Sequence, residues 1–205
     1  MVRLAVLVAA AILVIGAAVA VIAWLNDDDE PDRSSVALAC GAVHRAEPVD
    51  VRDPVDVHLM GAAEQFSRAA AVEDKARQPL AEAIEQLANL VFYESRPADS
   101  PELRAAVAAV DQQCGATGQD QESLAGQACA VTPTTIATGD VAARDRLIGA
   151  AELVSAATAA EPKYARLTGA LRDAAGEYGL AMTPAAARRW LDPVHAVCRD
   201  LQLEP

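Results

Sequence analysis

Three histidines, His44, His58 and His195, are the side chains best suited by type to act as a general base near neutral pH. Their sequence neighbours give that chemistry little support. His44 has no obvious partner, His58 stands just before an apolar helical face, and His195 lies close to Cys198. Asp192 and His195 are three apart and can share a helix face, which makes a local ion pair and not half of a triad. No histidine has a second one at a metal-ligand spacing, and no cysteines stand as Cys-x-x-Cys, so neither a zinc site nor another metal or cofactor is expected. Gly-x-Ser-x-Gly, Ser-x-x-Lys, His-Glu-x-x-His and a phosphate-cradling glycine loop are all missing. The chain is therefore expected not to be an enzyme. An envelope hydrolase, which would need His58 or His195 beside a carboxylate in a cleft, is the least favoured reading.

The charged residues that stand out are duplicated. Gly61-Ala62-Ala63-Glu64 recurs as Gly149-Ala150-Ala151-Glu152, and Ser67, Glu73 and Lys75 recur as Ser155, Glu161 and Lys163, all at one offset of 88. Lys75 and Lys163 are the only lysines in the protein, so their match weighs more than matches between alanines. Glu73, Lys75, Glu161 and Lys163 are accordingly the candidate contacts for a partner, although charges at a helix junction also serve simply to stabilise helix ends.

The cysteines frame the same duplication. Cys40 and Cys114 bound one segment, Cys129 and Cys198 the next, and each copy carries one cysteine in its opening helix and one at the close of its last. Four cysteines allow three pairings; duplication selects Cys40–Cys114 with Cys129–Cys198. Matched pairs of this kind suit an oxidising compartment.

The elements that position these residues are helical. Ser34 to Arg45 reads as a short helix carrying Cys40. A loop from Glu47 to Asp56 ends with Asp53-Pro54 as cap and first turn. Leu59, Ala63, Phe66 and Ala70, then Leu80, Ile84, Leu87 and Val91, recur at helical spacing, and Ser100-Pro101 opens a helix running to Cys114. The second copy repeats the order. Ser123 to Ala130 carries Cys129, Asp140 caps a helix with Leu147, Ala151, Val154 and Thr158, a further face holds Tyr164, Leu167, Leu171, Ala174 and Tyr178, and Thr183-Pro184 opens the helix to Cys198. The apolar phase could run unbroken past Pro79 and Pro162. A proline inside a helix costs about 3 kcal/mol against little in a first turn, so a break is expected at both places. No useful alternating pattern is present, and the fold expected is all-α: two tandem disulfide-stapled helical repeats, 34–114 and 123–205, joined by a linker at 115–122 and packed as a double helical bundle about a pseudo-twofold axis. Repeats of about 70–80 residues are marginal alone, and a disulfide closing about 75 residues adds about 4–5 kcal/mol by chain-entropy reasoning.

Residues 4–25 form an uncharged run that spans roughly 33 Å as a helix, enough to cross a bilayer core. It is expected to be an uncleaved single transmembrane anchor with Trp24 at the interface, preceded by a cytoplasmic stub, 1–3, and followed by an acidic linker, 26–33. The other reading is a signal peptide cleaved after Ala18-Val19-Ala20. Gly16 and Ala20 form a small-xxx-small pair that permits dimerisation without establishing it. Seventeen basic against 29 acidic residues, a net charge of −12, argue against nucleic acid as a partner. Arginine far in excess of lysine, with abundant alanine, suggests a GC-rich bacterial source. The expectation is a membrane-anchored helical module of a bacterial cell envelope, with most of its chain outside the cytoplasm, that binds an envelope or membrane protein. The alternative is a small-ligand or lipid-binding domain with an apolar cavity between the two halves.

Overall fold

The computed structural model describes residues 33–115, 122–137, 139–178 and 184–203. The expected anchor at 4–25, its Gly16/Ala20 pair, the stub at 1–3, most of the acidic linker and Thr183 lie outside the described residues. None of the described helices is long and apolar enough to cross a membrane.

Local chemistry starts the helices where the sequence places their caps. Helix α1 (Ser35–Arg45) begins after Ser34, whose Oγ accepts from the Ala37 amide at 3.2 Å. Helix α2 (Pro54–Glu73) begins after Asp53, whose carboxylate accepts from the Val55 amide at 2.8 Å. Asp74 then takes extended backbone, φ −144°, and caps a 3-10 turn, Lys75–Arg77, before α3 (Gln78–Phe92) starts with Pro79 in its first turn. Ser100 caps α4 (Pro101–Cys114). The second half follows the same order: α5 (Leu124–Val131) capped by Ser123, α6 (Val141–Ala160) capped by Asp140, a 3-10 turn Pro162–Tyr164, α7 (Ala165–Tyr178) and α8 (Pro184–Asp200). The expected break at both prolines is present, because a proline in a first turn gives up an amide that has no helical partner anyway. One proline breaks the rule: Pro193 lies inside α8, where it cannot donate to the Arg189 carbonyl.

The two halves align by element, but not at the offset that the identities suggest. The caps Asp53 and Asp140, the helix ends Asp74 and Glu161, and the two 3-10 turns are each 87 positions apart. Glu161 therefore occupies the place of Asp74 and not of Glu73, and Lys163 the place of Ala76 and not of Lys75. The identities at 88 are therefore displaced by one residue from the element ends.

Within each half the long helix is central. Helix α2 packs on α1 and α3, and α4 closes the unit by lying on α3 and α1; α6, α5, α7 and α8 repeat those contacts. Disulfides pin the closing helices: Cys40–Cys114 joins α1 to α4 with Cα atoms 5.8 Å apart, and Cys129–Cys198 joins α5 to α8 at 5.9 Å, both within the usual range. The halves meet through α2 and α6, the most extensive helix pair, which runs antiparallel: His58 reaches Glu152, Phe66 lies against Gly149, and Glu73 pairs with Arg146. Ala62, Ala63, Phe66, Ala150, Ala151 and Val154 are all buried there, so the crossing is filled by small residues around one aromatic ring. Residues 32–205 accordingly form one compact unit and not two separate bodies.

Candidate functional site

The Cys40–Cys114 disulfide sets the geometry of the most chemically varied group of side chains. His44 lies one turn beyond Cys40 at the end of α1, and Asp111 nearly one turn before Cys114 in α4. Tying the two cysteines together brings His44 Nε2 to 3.1 Å from Asp111 Oδ1, across 67 positions of sequence. Glu47, in the segment leaving α1, joins them: one potential ligand atom from each of the three lies within 4.8 Å of the others. Partial burial of its carboxyl pushes the Glu47 pKa up, the negative Asp111 adds to that rise, and His44 opposes it. His44 Nδ1 is buried and has no hydrogen-bond partner among the described residues. A cavity of about 490 Å³ opens beside the group, lined by Glu47 and Asp111 together with Pro48, Val49, Leu103 and Val107.

The other two histidines are also held. His58 Nδ1 lies 2.7 Å from Glu152 Oε2, a contact that links the two halves through α2 and α6. This supplies the carboxylate that a hydrolase would need. Among the described residues no hydroxyl is hydrogen-bonded to the second nitrogen of that ring. His195 Nε2 faces the Pro133 carbonyl at 3.3 Å rather than Asp192.

The duplicated charges do not converge. Because α2 and α6 are antiparallel, Glu73 and Lys75 stand at one end of the pair and Glu161 and Lys163 at the other, about 30 Å away for helices of this length. Their surroundings differ as well. Glu73 binds Arg146 at 3.1 Å, and Arg146 also donates to Ser35 Oγ at 2.8 Å, tying α6 to the start of α1. Glu161 binds its neighbour Lys163 at 2.6 Å; that ion pair raises the lysine pKa, and the ammonium sits 4.8 Å above the Tyr164 ring. Lys75 is exposed in its 3-10 turn. A single contact surface made from all four residues is not what this arrangement offers.

A second cleft, about 320 Å³, lies where α2, α3 and α6 meet. Ala71, Val72 and Ala81 form its apolar part, and Glu64, Arg68, Gln78, Glu85 and Asp145 its polar part. Val72 is 55% exposed, which is high for a valine. Glu64 and Arg68 are paired along α2. Burial pushes the Asp145 pKa up, while Arg144 and Arg68 pull it down.

Glu47, Asp111 and Arg146 were not singled out by sequence reasoning, and Glu152 only as part of the duplicated Gly-Ala-Ala-Glu segment. For His44 and Asp111 a signal existed: each lies about one turn from a cysteine of the same disulfide. For Glu152 the partner lies 94 positions away, and only the antiparallel crossing reveals it. No family model matches the chain, and comparison with curated proteins and with solved structures found no match.

Proposed function

We propose that this chain is a non-catalytic, disulfide-stapled helical module of a bacterial cell envelope, tethered to the membrane through residues 4–25 and acting outside the cytoplasm by binding a protein partner. The observation that carries the reading is the cleft between α2, α3 and α6, where exposed Val72 lies among charged and amide side chains. An apolar centre with a polar rim is the usual make-up of a protein-binding patch. Two disulfides support an oxidising compartment, and the uncharged run of the sequence supports the tether. A photo-crosslinking residue at Val72 should trap one defined companion in intact cells, and the same residue at exposed Arg188 on α8 should not. Equal trapping from both positions, or none from Val72, would count decisively against the assignment.

A second reading, small-ligand binding, draws on the cavity beside Leu103 and Val107 rather than on any space between the halves, where α2 and α6 are filled. A fluorescent apolar probe whose binding is lost in Val107→Trp would favour it; binding indifferent to that change would remove it.

A further inference from the structure

We propose that His44, Glu47 and Asp111 form a binding site for a divalent transition-metal ion of the zinc type. The three side chains supply one imidazole nitrogen and two carboxylate oxygens, donor types that zinc binds, and three protein ligands leave a fourth position for water. Zinc holds such donors at about 2.0–2.2 Å, which places them roughly 3.4 Å from one another in a tetrahedron. His44 Nε2 and Asp111 Oδ1 are already 3.1 Å apart, and the three potential donors lie within 4.8 Å of each other. Glu47 would supply the remaining approach by a change of its own side-chain rotamer, at a residue that is exposed overall.

Charge and rigidity point the same way. Two carboxylates face one another at the site, and a divalent ion offsets the charge of both. Arg104 lines the same cavity, but its guanidinium donates to the Asp99 carbonyl and to neither carboxylate. The Cys40–Cys114 disulfide fixes the two turns that carry His44 and Asp111, so most of the ordering cost is met before the ion arrives. An imidazole ligand and a set of three favour a transition metal over Ca2+, which takes six to eight oxygens. Glu47 and Asp111 also line the cavity of about 490 Å³, which gives an ion and its water a route to the site.

The buried His44 Nδ1 sets the strength of the site. When Nε2 holds a metal, Nδ1 carries the ring proton, and here it has no acceptor among the described residues. Outer-shell acceptors are worth about 10–100-fold in metal affinity, so the site is expected to bind more weakly than one whose ring N–H is hydrogen-bonded.

The test is calorimetric titration of the full-length, chelator-stripped protein with Zn2+ and, separately, with Ca2+, together with visible absorption of bound Co2+. One Zn2+ should bind, and His44→Gln, Glu47→Gln and Asp111→Asn should each weaken it by about ten-fold or more. His58→Gln should bind as the parent does, since its Glu152 pair lies at the other interface. Circular dichroism and disulfide-linked peptide mapping check that each variant folds; Glu47→Gln, at an exposed position, keeps the test open if the other two do not. The proposal is overturned by no Zn2+ binding at about millimolar metal, by binding unaltered in folded Glu47→Gln, by loss in His58→Gln, or by Ca2+ binding as tightly as Zn2+.

Discussion

Gly149 and Glu47 are the residues whose surroundings make the sharpest demands. A Cβ at Gly149 would lie 2.9 Å from Phe66 Cζ, and that ring is fully buried, so either the ring or the helix must shift. A Cβ at Gly61, on the facing helix, would meet Glu152 at 3.4 Å, an ordinary contact with a partly exposed side chain. Gly149→Ala is thus expected to destabilise by about 1–3 kcal/mol despite alanine's better helix propensity, whereas Gly61→Ala should be neutral or gain up to about 1 kcal/mol. Urea unfolding of the two variants decides it, and equal stabilities would mean that α2 and α6 do not cross as described. Glu47 gives a prediction in pH. Its carboxyl holds its proton more tightly folded than unfolded, so the folded state binds more protons between the ordinary carboxylate value and the raised one. Stability contributed by this group therefore falls as pH rises through that window. In chelator, Glu47→Gln should match the parent below the window and exceed it above; a Tm gain confined to acid pH would refute the argument. The duplicated Gly-Ala-Ala-Glu segment was legible in the sequence. Its role as the helix crossing was not, because nothing local distinguishes an alanine at an interface from one chosen for helix propensity.

At the scale of elements, what was local was readable. Ser34, Asp53, Ser100, Ser123 and Asp140 each accept from a first-turn amide, since a short polar side chain before a helix has few better options. Asp74 has two roles, ending α2 and capping the 3-10 turn through the Ala76 amide at 2.9 Å, which is why the chain breaks ahead of Pro79 rather than bending through it. What was not readable was register: the offset of 88 rested on the Gly-Ala-Ala-Glu segment and on matched Ser, Glu and Lys residues, whereas the element ends differ by 87. The one-residue slip matters because it removes the equivalence of Lys75 and Lys163 on which a shared contact surface rested. Helix α8 carries the remaining anomaly. Pro193 is exposed and sits mid-helix, so Pro193→Ala restores a donor to the Arg189 carbonyl without disturbing the buried face made by Leu191 and Val194. Thermal unfolding should show a gain of about 1–3 kcal/mol. A loss would mean that the packing of α8 on α7 depends on the proline.

For the molecule as a whole, the question is whether two stapled halves behave as one. Each half has its own disulfide, closing 74 and 69 positions, and loop entropy grows only logarithmically with length, so both staples constrain the unfolded chain almost equally, by about 4–5 kcal/mol. Were the halves independent, removing one staple would lower the melting of that half and leave the other untouched. The fold argues otherwise. The central layer of each half is a helix whose buried face is shared with the opposite one, through Phe66 against Gly149 and Ala62, Ala63, Ala150 and Ala151 around them. Unfolding either half would bare that whole face on its partner. Cys40→Ser with Cys114→Ser is thus expected to lower the stability of the entire unit in a single transition, and Cys129→Ser with Cys198→Ser to do so by nearly the same amount. Calorimetry of both variants, with hydrogen exchange at Leu147 and Leu167 in the first and at Leu59 and Leu80 in the second, reads whether the unmodified half melts together with the altered one. Two resolved transitions would show that the α2–α6 crossing joins two domains instead of making one.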